Sequence, residues 1–466
     1  MLIYLLGGKY IEVFGVNLDD AQVSAITDDS KTVIVSAGAG SGKTQTILGK
    51  VKYLIDEKNV KENEILCISL TNETVNNLKV KLDKMNYKVD VMTFHKLGLS
   101  LMDEKMYIVN DDYLNFIIDE YMLSYIRNNK LRNKTFKRIF FTEGNMDSVM
   151  KTHDYLELKK VMITFIKYIK SNDLDIRKIK IKHIGYINRE ILRMIFEIYI
   201  IYTEELSSSG KIDFDDMIKN SSCKKVYVNY KYIIIDEFQD TSVLRLNLIR
   251  NIMKYNDIKL FLVGDDWQSI YAFSGCTLDI FVNISKYLDN VSYHQLKYTY
   301  RNSQELITAS GKFVMKNKYQ LIKDIISYIH EDKPIVILYN YQINDVLKYI
   351  NGDVMIIGRC NKDIENIQWE NKYTIHKSKG LEADNIILVN SDNIPFKHKS
   401  HELLDYFLKT NEGIKYPEER RLFYVALTRT KKKIYIMVNN HESIFIRELR
   451  KNYKEFITIK KNGKPF

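Results

Sequence analysis

One short segment constrains the fold of this chain more than any other. Ala37-Gly-Ala-Gly-Ser-Gly-Lys-Thr44 follows the apolar run Thr32-Val-Ile-Val-Ser36 and opens a predicted helix over residues 43–55. Glycines let the backbone turn tightly and point its N–H groups at phosphate oxygens, and the N-terminus of the helix adds a favourable field. A glycine-rich loop between a strand and a helix is therefore the context that a P-loop requires.

Phosphate binding is the chemistry predicted for this loop. We expect Lys43 to reach the β- and γ-phosphates of a nucleotide and the Thr44 hydroxyl to ligate Mg²⁺. The first position is Ala37 rather than glycine, and a turn that serves only strand–helix packing is the alternative interpretation. The predicted nucleotide-binding residues of the loop are Ala37, Gly38, Ala39, Gly40, Ser41, Gly42, Lys43, Thr44 and Gln45.

A pair of acids strengthens the nucleotide interpretation. Tyr232-Ile-Ile-Ile-Asp-Glu237 is an apolar strand that ends in two carboxylates. Asp236 can hold Mg²⁺, directly or through water, and Glu237 can orient and activate an attacking water. Alone, the two acids could be a solvated strand end. At a strand's carboxyl end, beside a P-loop, they form the arrangement that in-line phosphoryl transfer needs.

The alternation of apolar runs with helical stretches predicts parallel α/β sheets. This rhythm occupies residues 1–102 and 213–285, which we assign to a first domain, and it returns over residues 286–466 as a second, smaller domain. Between residues 103 and 212 the strand signals vanish and the segment is typical of helices. The predicted fold class is therefore α/β, with two domains and one α-helical insertion in the first of them.

Composition limits the class of protein. The chain has 466 residues, 45% of them hydrophobic and 28% charged, which is a soluble globular balance. Its four cysteines lie far apart, so we expect neither a disulfide framework nor a zinc site. No stretch approaches the roughly 18 apolar residues of a membrane span, and the apolar start is too short for a secretory leader. We therefore expect a cytoplasmic protein that does not bind a membrane.

The charge balance is basic. Lys plus Arg is 70 and Asp plus Glu is 59, a net charge of +11 that fits either a nucleic-acid binder or a lysine-rich genome. The clearest basic runs, residues 127–138 and 177–182, both lie in the predicted helical insertion. Such runs are either solvated helix faces or a surface that contacts phosphates and binds more weakly as salt rises.

Further motifs accompany the P-loop, beginning with Asp236-Glu-Phe-Gln-Asp-Thr241. The others are Leu18-Asp-Asp-Ala-Gln22, Leu70-Thr-Asn72, Thr93-Phe-His95, Val263-Gly-Asp-Asp-Trp-Gln-Ser-Ile-Tyr271, Tyr300-Arg-Asn-Ser303, Thr374-Ile-His-Lys-Ser-Lys-Gly-Leu-Glu382 and Glu418-Glu-Arg-Arg-Leu-Phe-Tyr-Val-Ala-Leu-Thr-Arg429. Together they resemble the motifs of the UvrD/Rep/PcrA-like family of superfamily 1 DNA helicases, in that family's order. The resemblance implies two RecA-like domains that clamp ATP between them, with single-stranded or tailed DNA across their tops.

The resemblance also implies roles around the base and the ribose. Gln22 is expected to recognise the adenine edge, Tyr300 to stack on the base and Glu382 to contact the ribose. Outside its motif, Tyr300 would be interpreted as a core aromatic residue.

Three residues are implied at the γ-phosphate. Gln268 would sense this group, and Arg301 and Arg429 of the second domain would act as arginine fingers. A guanidinium suits that role because it offers charge and a fork of donors to the phosphoryl oxygens. Outside their motifs, either arginine would be interpreted as a surface ion pair.

The family's DNA track maps onto six residues. Phe273 stands where the family usually carries a base-stacking tryptophan, and a phenylalanine also stacks, at about 1–3 kcal/mol per base. The two histidines of the set could instead be ordinary histidines of the fold. The remaining expected DNA contacts are Thr71, Asn72, Thr93, His95 and His376.

Several departures define a compact family member. Leu70 stands where phenylalanine is common, and Ser274 replaces a frequent arginine. The interval between Arg301 and His376 is only about 75 residues, so we expect the helical subdomain called 2B to be absent or vestigial, whereas the insertion called 1B is retained. We therefore expect an ATP-driven DNA helicase or translocase, moving 3′ to 5′ by family implication, in repair, recombination or replication.

Two other functions stay open. The first is an ATP-gated factor that remodels nucleic-acid complexes or senses DNA, for example in phage defence, without separating strands. The second is a P-loop ATPase that does not bind nucleic acid.

Overall fold

Two six-stranded parallel sheets organise the molecule. A computed structural model describes residues 11–102, 106–127, 150–179, 185–396 and 412–461. Each sheet is packed between helices, and a group of helices interrupts the first domain. The predicted fold class, two α/β domains with one α-helical insertion, is confirmed.

The first sheet carries the P-loop strand in its interior. Val33 and Val35 pack into one apolar cluster and Ile34 into another, so both faces of this strand are buried and its sequence is continuously apolar. All neighbouring strands are parallel. Their order across the sheet is Val291–Gln295, Thr32–Ser36, Lys259–Gly264, Tyr232–Ile235, Ile65–Ser69 and Asp90–Thr93.

Most helices of the first domain begin at side-chain caps, and the P-loop helix, which begins after Gly42, does not. The Asp19 carboxylate accepts the backbone N–H of Gln22, and the Gln22 side chain accepts the N–H of Asp19, which is a capping box. The helices are Asp20–Thr27, Lys43–Asp56, Asn72–Lys84, Phe94–Ser100, Phe214–Ser222, Val243–Tyr255 and Leu278–Val282.

The insertion forms a separate apolar core. Ile118, Met162 and Ile195 are fully buried within it, one from each of three helices. These helices are Asp111–Arg127, His153–Ser171 and Tyr186–Ser208. A short parallel pairing of Tyr107–Ile108 with Lys211–Ile212 joins the two ends of the insertion, where the sequence had predicted no strand.

The basic runs of the insertion lie largely outside the described residues. This holds for the side chains of residues 127–138 and for residues 180–182. Within the described part of the second run, Arg177 pairs with Asp175 at 2.9 Å. Phosphate binding by either run therefore stays a prediction.

The second sheet, like the first, has six parallel strands and is buried on both faces. Ile335 and Ile337 pack into one cluster and Val336 and Leu338 into another, so this sheet is also buried on both faces. The parallel order is Lys372–Thr374, Val354–Gly358, Ala383–Leu388, Thr430–Val438, Ile335–Tyr339 and Ile457–Lys461. The helices are Gln304–Val314, Ile343–Tyr349, Asn361–Ile364, Pro417–Leu427 and Ile444–Asn452.

Edge strands are where the sequence prediction differs from the structure. The second domain was predicted to begin at residue 286, but Val291–Gln295 pairs with Thr32–Ser36 in the first sheet. This edge strand is only half-buried and carries serine, histidine and glutamine, so it lacks the apolar signature of an interior strand. Lys372–Thr374 and Ile457–Lys461 were missed for the same reason, because both lie at edges of the second sheet.

The interval between Arg301 and His376 is described throughout. It forms the helices Gln304–Val314, Ile343–Tyr349 and Asn361–Ile364 together with three strands of the second sheet. Apolar residues from these elements enter the two clusters of the second domain. Within the described ranges, none of the helices has the length and apolar content that crossing a membrane demands.

Candidate nucleotide and DNA site

The first sheet brings the P-loop and the acidic pair to the same edge. Thr32–Ser36 and Tyr232–Ile235 both pair with Lys259–Gly264, so the loop and the acids that follow them leave the sheet two strands apart. Gly40 and Gly42 have φ angles of 70° and 80°, which favour glycine. The loop therefore needs its glycines for the turn as well as for the approach of a phosphate.

Lys43 and Glu237 form an ion pair at the centre of the site. The Lys43 Nζ lies 3.1 Å from Glu237 Oε1 and 3.2 Å from Oε2, and Gln239 Nε2 donates to Oε2 at 2.6 Å. Burial alone would raise the pKa of Glu237, but Lys43 and Lys379 lower it to about 2. Glu237 is thus ionised over the physiological range, as a residue that orients water must be.

Asp236 differs from its neighbour in charge state. Its Oδ1 accepts the backbone N–H of Glu237 at 2.8 Å. Burial and the adjacent Glu237 raise the pKa of Asp236 to about 6, so its negative charge lacks sufficient compensation from the protein. Mg²⁺ fits here, because a hard cation takes oxygen ligands and would supply the missing positive charge. Asp236 and the Thr44 hydroxyl are the residues that would hold it.

Gln268 and Arg429 are in direct contact. Arg429 Nη2 donates to Gln268 Oε1 at 3.0 Å, and Gln268 Nε2 donates to Asp265 Oδ2 at 2.5 Å. Burial and the nearby Arg301 lower the pKa of Arg429 to about 9. The structure thus joins the predicted γ-phosphate sensor of the first domain to a predicted arginine finger of the second.

Arg301 lies against the P-loop but is paired with Glu382. A Cβ atom at Gly40 would lie 2.5 Å from the Arg301 Cβ, so the arginine backbone closes over the loop. Arg301 Nε donates to Glu382 Oε2 at 2.6 Å, and Lys431 lies 3.0 Å from the other oxygen of this carboxylate. The predicted phosphate ligand and the predicted ribose ligand therefore neutralise each other in this structure.

Tyr300 and Gln22 lie on the same side of the P-loop. Tyr300 is 55% exposed, and its hydroxyl donates to Asp19 Oδ2 at 2.8 Å. Gln22 is buried, and its Nε2 lies 3.4 Å from Thr46 Oγ1 and 2.7 Å from where a Cβ of Gly42 would be. An exposed aromatic ring and a buried amide therefore lie near the loop, and their roles toward adenine stay predictions.

Sequence reasoning missed Lys379 at this site. Its Nζ donates to Asp240 and to the backbone carbonyl of Gln268, and it lies 3.8 Å from Glu237 Oε2. Burial lowers the pKa of Lys379, but Asp240 and Glu237 raise it above its usual value. No spacing in the sequence relates this lysine to acids more than a hundred residues away, so only the fold reveals the contact.

The predicted DNA track contains an aromatic cluster. Phe273 is 37% exposed, and its ring meets His376 edge-on at 5.6 Å and Tyr271 at 5.8 Å. The cluster joins residues from both domains, since His376 follows the second-sheet strand Lys372–Thr374. Tyr271 was not among the predicted contacts.

The other predicted DNA residues lie at helix starts. Thr71 and Thr93 each cap a helix, with the hydroxyl accepting a backbone N–H at 3.2 Å, and Asn72 is exposed. His95 packs on Phe214 with ring centroids 4.8 Å apart. Burial and Arg245 lower the pKa of His95 to about 4, so this histidine is neutral near pH 7. It lines a cavity of about 410 Å³ that Ser274 also lines.

Comparison with known proteins decides the family. A model of the UvrD/REP helicase N-terminal domain matches residues 18–289, and a model of the UvrD-like helicase C-terminal domain matches residues 361–441. The chain belongs to the UvrD/REP helicase family. This confirms the resemblance drawn from the motifs and, with the two parallel sheets, the two RecA-like domains.

This UvrD/REP family member is also similar in sequence to individual helicases. A probable DNA helicase II homolog from Mycoplasma capricolum is 28% identical over 335 residues, which are 69% of this chain and 44% of the relative. DNA helicase IV from Escherichia coli is 24% identical over 93% of this chain and 70% of its own length. The ATP-dependent DNA helicase Rep from Buchnera aphidicola is 26% identical over 75% of this chain and 51% of its own length. The chain therefore spans about half the length of two of these relatives.

Proposed function

We propose that this chain is an ATP-dependent DNA translocase that hydrolyses ATP between its two domains while moving along single-stranded DNA. One observation carries the proposal. Lys43 pairs with Glu237 in the first domain, Lys379 lies 3.8 Å from Glu237 and donates to the backbone carbonyl of Gln268 at 2.9 Å, and Gln268 contacts Arg429 of the second domain at 3.0 Å. This chain of contacts between the two domains supports a γ-phosphate site formed by residues of both.

Hydrolysis follows from the roles of these side chains. A nucleotide draws Lys43 to its phosphates, which releases the Glu237 carboxylate to orient a water molecule for in-line attack. Thr44 and Asp236 would hold Mg²⁺, which would supply charge neutralisation at the phosphate oxygens. Arg301 and Arg429 offer their guanidinium groups to the charge that develops during transfer. Because these arginines belong to the second domain, hydrolysis depends on domain closure.

Two short segments couple the nucleotide to DNA. Gln268 and Phe273 are five positions apart, and Phe273 lies in the aromatic cluster. Lys379 and His376 are three positions apart, one beside Glu237 and the other against Phe273. A shift at the γ-phosphate therefore moves the residues proposed to hold the strand, which is what directional stepping requires. We propose movement 3′ to 5′, with a role in DNA repair, recombination or replication.

A second candidate is an ATP-gated factor that remodels or senses nucleic-acid complexes without separating strands. The observation that favours it is the interval between Arg301 and His376, which is occupied by elements of the second domain. Larger family members place an additional helical subdomain there. Translocation needs only the two domains and the track, so the two candidates share the same ATP site.

The test compares ATP hydrolysis with strand displacement. ATPase is measured with single-stranded DNA, duplex DNA, RNA or no nucleic acid, and displacement is measured on duplexes with a 3′ or a 5′ tail. Stimulation by single-stranded DNA together with displacement from the 3′-tailed duplex supports the leading proposal. Stimulation without displacement favours the remodelling candidate. ATPase that is indifferent to DNA and RNA contradicts both.

A further inference from the structure

A buried lysine lies behind the proposed γ-phosphate sensor. Lys323, in the segment after the helix Gln304–Val314, has a side chain with no solvent exposure. Its Nζ lies 2.5 Å from Asp265 Oδ1 and 2.6 Å from Asp266 Oδ1, both also fully buried. A buried ammonium group persists only when it is paired and hydrogen-bonded, and these two carboxylates provide that pairing.

The lysine is connected to Gln268 through a single carboxylate. Asp265 accepts Lys323 Nζ on Oδ1 and Gln268 Nε2 on Oδ2, the latter at 2.5 Å. The backbone N–H of Trp267 also donates to Oδ1 at 3.1 Å. The orientation of the Asp265 carboxylate is therefore fixed on one oxygen by the lysine and transmitted by the other to Gln268.

The same ammonium group also contacts the P-loop. Lys323 Nζ donates to the backbone carbonyl of Ala37 at 2.8 Å. Nearby, the Thr299 hydroxyl donates to the Ala39 carbonyl at 2.7 Å, and the Tyr300 N–H donates to the Gly40 carbonyl at 2.9 Å. These three bonds use carbonyl groups of the loop and none of its N–H groups. Lys323 thus joins the start of the loop to the sensor.

The charge balance of this cluster depends on the lysine. Burial raises the pKa of Asp266, and Lys323 opposes that rise. Burial lowers the pKa of Lys323, but Asp265 and Asp266 raise it above its usual value. A neutral side chain at position 323 would leave two adjacent buried carboxylates without their closest cation, and Asp265 would lose one of the three donors that fix its orientation.

We propose that Lys323 is a positioning residue for the γ-phosphate sensor. Acting through Asp265, it holds the Gln268 side chain in the arrangement that distinguishes ATP from ADP. This inference rests on the proposed function, because it assigns a partner to the site that binds ATP there. An ion pair that only stabilises the fold would affect both nucleotides equally.

The test measures the dissociation constants of ADP and of a non-hydrolysable ATP analogue, each with Mg²⁺. Lys323→Met keeps the length of the side chain and removes its charge. We expect it to weaken binding of the analogue about tenfold, the size of one hydrogen bond to a charged group, and to leave ADP within about twofold. Lys323→Arg retains the charge and is expected to keep part of the preference for the analogue over ADP. Lys316→Met is the matched control, since Lys316 pairs with Glu448 on the surface.

A double-mutant cycle separates positioning from general stability. Combining Lys323→Met with Gln268→Ala is expected to reduce analogue binding no further than Gln268→Ala alone, because the two residues act as one unit. If Lys323→Met does not fold, Asp265→Asn, which keeps the shape of the side chain, replaces it in the same measurements.

The outcomes distinguish this inference from the proposed function. A wild-type chain that binds neither nucleotide contradicts the proposed function. A wild-type chain that prefers the analogue, with the preference unchanged in Lys323→Met, overturns the role of Lys323 alone. The role of Lys323 is also overturned if Lys323→Met weakens the binding of ADP and of the analogue equally. Additive losses of analogue affinity in the double variant overturn it as well.

Discussion

The ammonium group of Lys43 lies 3.1 Å from the carboxylate of Glu237, so the phosphate-binding cation and the proposed water-orienting acid neutralise each other. We propose that a nucleotide separates this pair, because its phosphates compete with Glu237 for the same lysine. On this proposal, binding of ATP and release of the acid for chemistry are one event. Lys379, 3.8 Å from Glu237, remains beside the acid when Lys43 leaves.

Lys43→Ala is expected to abolish ATP hydrolysis, since the β- and γ-phosphates lose their cation. ATPase and ATP binding are both measured, with and without single-stranded DNA. Lys52→Ala serves as the control, because Lys52 lies on the same helix and pairs at the surface with Asp56. Unchanged ATPase in Lys43→Ala would rule out this site as the site of hydrolysis.

Glu237→Gln is expected to bind ATP but to hydrolyse it about 10²–10⁴-fold more slowly, since an amide cannot accept the proton of the attacking water. Lys43 also loses its partner, so ATP affinity is expected to be equal to or higher than that of the wild type. Single-turnover hydrolysis and equilibrium ATP binding check the two effects separately. Near-normal turnover would exclude Glu237 as the water-activating residue.

The Mg²⁺ requirement is expected to rise as pH falls below about 6. The pKa of Asp236 is raised to about 6, so below that pH a proton competes with the cation for the same carboxylate. Each further unit of pH then demands about tenfold more Mg²⁺, whereas above pH 7 the requirement is flat. Glu237, with its pKa near 2, stays ionised across this window and adds no dependence. Direct titration with Mn²⁺ at pH 5 to 8 measures this, and a flat profile would contradict it.

Phe273→Ala is expected to reduce DNA-stimulated ATPase more than basal ATPase, because its ring lies in the proposed DNA track and not among the phosphate ligands. Loss of one stacked base corresponds to about 1–3 kcal/mol of DNA affinity. The measurement is the concentration of single-stranded DNA that gives half-maximal stimulation. Phe14→Ala is the control, since Phe14 is exposed and lies neither in the aromatic cluster of Phe273 nor among the proposed phosphate ligands. An equal effect on both rates would argue against stacking.

The sequence predicted the interior strands and one edge strand, Asp90–Thr93, which was expected over residues 89–92. Thr32–Ser36 and Tyr232–Ile235 are buried on both faces, so their apolar runs are unmistakable. The strand Val291–Gln295 was not predicted, because it lies at an edge of the sheet, is half-exposed and carries polar residues. The error displaced the predicted domain boundary by one strand.

Motif order predicted which residues gather at the site but not how they pair. The structure brings Gln268 to Arg429 and Arg301 to Glu382, contacts between segments more than 80 positions apart. Lys323 lies outside every motif, and Lys379 lies inside one without any spacing that relates it to Glu237 or Asp240, so the contacts of both lysines emerge only from the fold. Their roles, like those of the predicted DNA contacts, stay proposals until measured.

Movement along DNA is the central claim, and displacement of streptavidin from a biotinylated oligonucleotide tests it most directly. The wild-type chain with ATP is expected to release streptavidin from a 5′-terminal biotin much faster than from a 3′-terminal one, and Glu237→Gln is expected to release neither. Release from neither end by a wild-type chain whose ATPase is stimulated by the same oligonucleotide would contradict translocation.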